Sequence, residues 1–493
     1  MGTSTGTPPP HPRPPDRAVV LTLGLASMLV SMMQTLVVPI LGLIQSSLHT
    51  TPAGAGWVTT VTLLSAAVFT PLLGRFGDQH GKKSTLVAVL VVLISGTVLA
   101  AATHSLPWLI TARALQGAAT AIFPLALSIL RDEIRPERLH GAMAAVSGAF
   151  AFGSGIALVA AGLLTSGAHP DYRDVFWLTT ALSVVTLVAV VLVVPATRHT
   201  TKGRTDVPGA VALAAALVLV LLPVTQGHEW GWSSARAVGC FAGAVVAAAV
   251  WVLIELRVPE PLVDMRMFAH PPVLLSNVVG LLVGFGMFAL FVGVSALAQL
   301  PPGLAGYGFG ASVLRASVVY LLPVSLISLV LAPVGGRLVT RYGPRAVLLA
   351  ASGLGTAGFA WIVADHAHTV SVVAGSVLMG AAGSLGYAAM PAITVASVPL
   401  HQTGVANGIN SIARSAGGAV GSAVVTTVLA SRTLPAHPGL PAQSQFTLSF
   451  VLGAAGLALI APTAWFGLRR IGPARHHTAE ATSPAEPEMC PAK

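Results

Sequence analysis

The chain has 493 residues, of which 54% are hydrophobic and 9% are charged, and its formal net charge is +10. A soluble domain carries about 25% charged residues. This chain therefore lacks the polar side chains needed to cover a soluble globule of its size, which excludes a soluble enzyme. The composition instead predicts an all-α polytopic membrane protein.

Fourteen apolar stretches follow one another along the chain, and each is long enough to cross a bilayer, which takes about 20 residues. The Pro-rich segment 1–17 before them and the polar segment 471–493 after them are predicted to be disordered tails. The predicted spans are Ala18–Ile44, Trp57–Leu73, Ser84–Ala102, Trp108–Leu130, Gly141–Leu164, Val175–Val194, Val207–Val224, Ala235–Ile254, Val273–Leu300, Ser317–Val334, Ala346–Val363, Val370–Val395, Gly404–Leu429 and Phe446–Leu468.

The distribution of Lys and Arg predicts how these spans are oriented. Twenty of these residues fall in the tails and in the loops on the same side as the tails, whereas the alternate loops hold four, namely Arg173, Arg236, Arg315 and Arg432. Basic residues concentrate on the cytoplasmic side of membrane proteins. We therefore expect both termini in the cytoplasm and a multi-pass protein of the plasma membrane. The positive charge reports topology, and no nucleic-acid partner is expected.

Two loops of the chain resemble each other, which indicates an internal repeat. The loop after span 2 reads GRFGDQHGKK (74–83), and the loop after span 10 reads GRLVTRYGPR (336–345). Duplicated halves around a midplane site are typical of secondary transporters. The repeat predicts an N-terminal half of six spans (18–195), an insertion of two (196–256) that looks peripheral, and a C-terminal half of six (257–470).

The motifs also carry a family resemblance. GRFGDQHGKK resembles the loop signature of the major facilitator superfamily, and LITARALQGAAT in span 4 is similar to its arginine-glutamine-glycine motif. With fourteen spans, the chain resembles the 14-spanner drug:proton antiporters, such as actinobacterial antibiotic exporters. The resemblance implies two six-helix halves, alternating access, and export of drugs or antibiotics by proton antiport.

Two alternatives to proton-coupled drug export remain at this stage. One is a potential-driven exporter of an anionic metabolite, without proton coupling. The other is a membrane-embedded enzyme, which would need paired carboxylates, a metal-ligand set or a Ser–His pair near the spans, and the sequence displays none of these. No cofactor or metal is therefore expected.

The first repeated loop is a candidate conformational latch, formed by Gly74, Asp78, Gly81, Lys82 and Lys83. Its glycines allow a tight reversal between two helices. The resemblance implies that Asp78 accepts hydrogen bonds from the first turn of span 13, near Thr403 and Gly404, when the two halves close at their cytoplasmic end. The alternative is a solvated turn, and the second copy has Thr340 where the first has Asp78.

A second set of candidates is polar residues within the spans. Arg113 and Arg414 are the charged residues that lie well inside spans, and an intramembrane Arg is expensive enough to indicate a functional site. The alternative for each is a structural Arg bonded to carbonyls of a neighbouring helix. The complete candidate set for a substrate cavity is Gln34, Arg113, Gln116, Asn277, Gln299, Asn407, Asn410 and Arg414.

Span 5 carries glycines at intervals of seven, and Gly148, Gly155 and Gly162 among them predict a seam for close helix packing. All Asp, Glu and His residues lie outside the span interiors. Because no acidic side chain balances Arg113 and Arg414, we expect a cavity that favours neutral or anionic molecules. We also expect the transporter to be a monomer. A coupling proton would have to use a carboxylate at a span edge, the candidates being Asp78, Asp132, Glu133 and Glu255.

Overall fold

A computed structural model of the chain describes residues 15–167, 170–195, 206–259, 261, 265, 270–397, 403–435 and 437–467. The predicted tails fall outside these residues, except that the first helix already begins at Asp16. The described part of the chain forms a helical bundle with these membrane helices: α1 (Asp16–Ser47), α2 (Pro52–His80), α3 (Lys82–Ala102), α4 (Leu106–Glu133), α5 (Pro136–Leu164), α6 (Tyr172–Val193), α7 (Val207–Trp230), α8 (Ala235–Arg257), α9 (Pro271–Gln299), α10 (313–342), α11 (344–364), α12 (Thr369–Ser397), α13 (Thr403–Ser431) and α14 (Gln443–Phe466).

The pair α10 and α11 is continuous except for one residue. Together they run from Val313 to Ala364, 52 residues, which at 1.5 Å per residue is more than twice the thickness of a bilayer core. The helix breaks at Gly343, whose φ of 80° and ψ of 160° are not helical. Counting the two parts separately gives fourteen helices, which confirms the predicted number.

The repeated loops are shorter than the sequence predicts. Helix α2 continues through Gly74 to His80, and Gly81 (φ 98°, ψ 130°) alone turns the chain into α3. Gly343 does the same in the second copy. Glycine adopts this positive φ because it has no Cβ. We call the side of the bundle that carries these two turns the motif end, and the other side the opposite end.

Helix α1 is interrupted near the opposite end. Its regular part stops at Thr35, a 3₁₀ turn covers Val38–Ile40, and a short helix resumes at Leu41. Pro39 has no N–H to donate within the helix, and this accounts for a local break. The break leaves backbone carbonyls available to side chains of other helices.

The main clusters of buried residues each belong mostly to one half of the protein. One large cluster joins α9 to α14, and two others join α1 to α6. The inserted pair behaves unequally: α8 is mostly exposed, whereas α7 packs against α2 and α13 through Leu221, Leu64 and Ala423. The expectation of a peripheral insertion therefore holds for α8 and is wrong for α7.

A short antiparallel hairpin, absent from the sequence prediction, follows α13 at the opposite end. Strand β1 (Thr433–Leu434) pairs with β2 (His437–Pro441), with Thr433 facing Pro441.

Candidate functional site

A cavity of about 330 Å³ lies between the two halves, near the middle of the bundle. Helices α1 and α5 of the first half and α9, α10 and α12 of the second supply its walls. Its lining combines aromatic rings with hydroxyl and amide groups, namely Phe150, Phe288, Phe291 and Tyr387 with Ser31, Gln34, Thr35, Ser154, Ser325, Ser328 and Ser384. No Asp, Glu, Lys, Arg or His belongs to the described residues that line it.

The serines of this cavity were missed by sequence reasoning, which considered only charged and amide side chains. Ser328 donates to the carbonyls of Val324 and Gly380, and Ser384 donates to the carbonyl of Ser328. A Ser hydroxyl bonds its own helix so readily that its presence in an apolar span carries little signal. Only the fold shows that these hydroxyls converge on one space.

Two predicted cavity residues are associated with this space. Gln34 lines it directly. Arg414 reaches it through an aromatic ring, because its Cζ lies 5.2 Å from the ring centroid of the lining residue Tyr387. Its guanidinium also donates to Ser411 at 3.3 Å. A cation on the ring face is attracted by the ring quadrupole, so Tyr387 separates the Arg414 charge from the cavity.

Arg113 occupies a different environment. Its side chain is fully buried and donates to the backbone carbonyls of Val58 on α2 and Met33 on α1, at 3.1 and 3.3 Å. It also donates to Gln116 Oε1. In this conformation Arg113 and Gln116 connect three helices of the first half, and they do not line the central cavity.

The predicted Asn residues join α13 to α9. Asn410 donates to the carbonyl of Ser276 at 2.8 Å, and its amide lies 3.5 Å from Asn277 Oδ1. Both Asn side chains are buried, so they act here as packing contacts inside the second half. The side chain of Asn407 lies outside the described part of the structure.

Gln299 lies at the opposite end, on the wall of a second cavity of about 460 Å³. Its amide donates to the carbonyl of Pro39 at 2.8 Å, and Ser295 donates to the carbonyl of Val38 at 3.2 Å. Both bonds run from α9 to the interrupted part of α1, so they join the two halves. Val38 lines both cavities and separates the central space from the opposite end.

The predicted glycine seam of α5 faces α10, and the contact loosens along its length. A Cβ at Gly162 would lie 2.5 Å from the Cα of Leu314, and one at Gly155 would lie 3.3 Å from Leu322, whereas a Cβ at Gly148 would meet no atom within 4 Å. The two helices therefore touch at the opposite end and diverge toward the motif end.

The two lysines of the candidate latch are bonded within the first half. Lys82 forms an ion pair with Asp132 at the end of α4, at 2.6 Å. Lys83 donates to the carbonyl of Val191 at the end of α6. The expected partner of Asp78 is the start of α13, and the side chains there lie outside the described residues. The latch therefore stays a prediction.

Comparison with known proteins identifies the family. The family model described as Major Facilitator Superfamily matches residues 23–300 and 278–489. The chain is 30% identical over 412 residues to the cephamycin export protein CmcT of Amycolatopsis lactamdurans, covering 79% of this chain and 80% of that one. It is 28% identical over 424 residues to the tetracenomycin C resistance and export protein of Streptomyces glaucescens, covering 85% and 77%.

A solved structure shares the fold. The structure of the nucleoside transporter NupG superposes with a TM-score of 0.63 over 92% of this chain and 100% of that one, at 13% identity. The fourteen-helix architecture, the cavity between two halves and these matches lead to one conclusion: the chain belongs to the Major Facilitator Superfamily and is a multi-pass membrane transporter.

Proposed function

We propose that this transporter exports small organic molecules, among them antibiotics, by alternating access through the central cavity. The observation that carries the proposal is the position of this cavity between two halves that are joined at the opposite end, while α5 and α10 diverge toward the motif end. Two relatives are named as export proteins of antibiotics. The Lys and Arg distribution supports a cytoplasmic motif end. With that orientation, the described conformation is one that loads from the inside.

The substrates of the central cavity are neutral or anionic in this proposal. Aromatic rings and hydroxyls line the space, and the Arg414 guanidinium lies against the ring of the lining residue Tyr387. An anion that displaced or polarised Tyr387 would gain attraction from Arg414, whereas a cation would be repelled. A transporter of this kind functions as a monomer, since each chain holds both halves of the cavity.

Proton antiport is the proposed source of energy, and the carrier is a carboxylate outside the central cavity. Glu255 is one candidate, because it is buried at the end of α8, where its Oε1 accepts from the Trp251 ring N–H at 2.8 Å. Asp78, Asp132 and Glu133 are the others. The alternative is potential-driven export of an anion, which gains about 2.3 kcal/mol per charge for each 100 mV.

Purified protein in liposomes tests the proposal, with a pH gradient and a membrane potential imposed separately. Flux of neutral and anionic antibiotics driven by the pH gradient at zero potential is the expected result. Anion flux that follows the potential alone would favour the alternative. Absence of flux for every compound under both gradients would overturn the export proposal.

Two variants test the cavity assignment. Arg414→Met should lower the flux of anionic compounds relative to neutral ones, because it removes the cation but keeps a long side chain against Tyr387. Asn410→Leu is the matched control on the same helix, since Asn410 is bonded to α9 and does not line the cavity. An unchanged anion-to-neutral ratio in Arg414→Met, or a preference for cations in the unmodified protein, would contradict the assignment.

A further inference from the structure

Two buried carboxylates lie side by side at the motif end of the inserted helices. Asp206 immediately precedes α7, Glu255 lies in the last turn of α8, and each residue is only 3% exposed. A Cβ built at Gly209 would lie 2.2 Å from Asp206 Oδ2 and 2.9 Å from Glu255 Oε1. The two oxygens are therefore no farther apart than the sum of these distances, and the missing Cβ of Gly209 leaves room for both.

The hydrogen bonds of the two carboxylates differ. Asp206 Oδ1 accepts from the N–H of Gly209 at 2.8 Å and so caps α7, and the start of a helix favours a negative charge. Asp206 Oδ2, in contrast, is buried without a hydrogen-bond partner. Glu255 Oε1 accepts from the ring N–H of Trp251 at 2.8 Å. The pair thus leaves one buried acceptor, Asp206 Oδ2, beside Glu255 and without a donor.

A proton on Glu255 would supply that donor. A buried polar atom without a partner is costly, and when two carboxylates share a buried site their repulsion leads one of them to keep its proton. Asp206 is held as the anion by its capping bond, so the proton belongs on Glu255. Protonation would both satisfy Asp206 Oδ2 and remove one of the two negative charges.

The other charged groups at this end leave Asp206 without a counter-ion in the described part of the chain. Helix α2 presents Asp78 and also Arg75, which donates to the carbonyl of Pro261 at 2.5 Å. Arg257 is exposed in the last turn of α8, and α13 carries no charged residue before Arg414. No ion pair links Asp206 to any of these cations.

Trp251 connects this pair of carboxylates to both halves of the protein. Its ring packs with Leu213 of α7 and Val68 of α2, and also with Ile409 of α13. Helix α2 belongs to the first half and α13 to the second. The ring whose N–H is held by Glu255 therefore touches both halves, and a displacement of Glu255 would be transmitted to their contact.

We propose that Asp206 and Glu255 form a proton-binding site, in which Glu255 carries one proton and donates it to Asp206 Oδ2, and that occupancy of this site sets the position of Trp251 between α2 and α13. Release of the proton to water leaves two negative charges side by side, and their repulsion moves Glu255 and the Trp251 ring with it. The spacing of the halves at the motif end therefore depends on pH. The inference goes beyond the proposed function, because it holds for any cargo and does not require this proton to cross the membrane.

Infrared difference spectroscopy detects the bound proton directly. Protein in liposomes is titrated between about pH 5 and pH 9, a range over which a buried carboxylic acid can lose its proton, and the carbonyl stretch of protonated carboxylic acids is followed. A band should be present at the acidic end and disappear as the pH rises. A spectrum without a band that titrates in this range would overturn the site.

Two conservative variants assign the band. Asp206→Asn and Glu255→Gln each replace one carboxylate by an amide of the same shape that can donate to the other, so both should fold and both should lose the band. Asp174→Asn removes an exposed carboxylate on α6 and should keep it. Persistence of the band in Asp206→Asn and Glu255→Gln, or its loss in Asp174→Asn, would overturn the assignment. A band weakened when sodium chloride replaces choline chloride would show that the pair binds a metal cation, which would also overturn the proton site.

Spin labels at the motif end test the link to the halves. Cys240 and Cys490 are replaced by Ser, and labels are placed at Leu192→Cys on α6 and Tyr342→Cys on α10, which are 77% and 56% exposed. The distance distribution between them should change across the pH titration, whereas Glu255→Gln should keep the distribution of the acidic end throughout. An unmodified protein that ignores pH, or a Glu255→Gln variant that follows it equally, would overturn the link.

Trp251→Phe separates proton binding from its effect on the halves. It keeps an aromatic ring but removes the N–H that Glu255 accepts, so the infrared band should remain while the distance distribution stops following pH. A distribution that still follows pH in Trp251→Phe would overturn the role of this ring. Neither measurement uses a substrate, so an absence of flux in liposomes would count against the proposed function and not against the proton site.

Discussion

Replacing Gln299 by Met should shift the transporter toward a state that is open at the opposite end. Gln299 Nε2 donates to the carbonyl of Pro39 at 2.8 Å, and this bond joins α9 to α1 across the two halves. It can form only while those ends are close together. Met has a similar length but cannot donate, so Gln299→Met removes the bond with little change in packing.

The size of the shift follows from the value of one hydrogen bond. A neutral hydrogen bond contributes about 0.5–1.5 kcal/mol net, which corresponds to a roughly two- to thirteenfold change in the ratio of the two conformations. Adding Ser295→Ala removes the second bond between the halves, from Ser295 to the carbonyl of Val38. The double variant should therefore shift the ratio further in the same direction.

Spin labels at the opposite end measure this ratio. In a background without Cys240 and Cys490, labels at Ser47→Cys and Leu304→Cys, both exposed residues beside the two bonded segments, report the distance between the halves by double electron–electron resonance in nanodiscs. The longer-distance population should grow in Gln299→Met and again in the double variant. Asn410→Leu is the control, since it removes a bond inside one half. The reasoning fails if the distance distributions of both variants match that of the unmodified protein, or if the control shifts equally.

Three further outcomes are expected from the structure. Gly162→Leu should prevent closure of α5 onto α10 and strongly reduce transport, because even a Cβ would lie 2.5 Å from a backbone atom. Gly148→Leu should retain transport, because nothing lies within 4 Å of its Cβ. Flux of the two variants is compared in liposomes, and an equal loss would contradict the prediction. Arg113→Met should destabilise the protein by about 1–3 kcal/mol, because the buried Gln116 Oε1 loses its donor. A melting temperature close to that of the unmodified protein would show that the bonds of Arg113 contribute little. Hydrogen bonds from Ser371 and His368 hold the pKa of Asp365 at about 2, below its value near 3.9 in an unfolded chain. The ionised Asp365 therefore stabilises the fold fully above about pH 4, and this stabilisation is lost as the pH falls toward 2. The difference in melting temperature between Asp365→Asn and the unmodified protein should shrink over that interval, and a constant difference would contradict the assignment.

The sequence by itself determined the class of protein, the number of membrane helices and the family. Each of these depends on properties that are local along the chain. A stretch of about 20 apolar residues specifies a membrane helix whatever its neighbours are, and the repeated motif at Gly74–Lys83 is a contiguous string. Even the kind of turn was partly predictable, since the glycines of the first loop were expected to allow a tight reversal, and Gly81 adopts a positive φ there, as Gly343 does in the second copy.

The tertiary structure alone decided what each polar residue in a membrane helix does. Arg113 and Arg414 are both charged residues inside membrane helices, yet one is bonded to backbone carbonyls of α1 and α2 and the other lies on a ring that lines the central cavity. Gln299, expected in a substrate cavity, donates across the two halves at the opposite end. The direction in which a side chain points depends on the rotation of its helix and on its neighbours, and neither is encoded within the helix itself.

The same reason explains the role of the inserted helices. Nothing in the apolar sequence of α7 distinguishes a lipid-facing helix from one that packs between two others, because lipid tails and apolar side chains are similar environments. Packing of Leu213 and Leu217 against α2 places α7 at the junction of the halves. Which of the inserted helices reaches the junction between the halves is a property of the assembled bundle, and it was decided only when all the helices were in place.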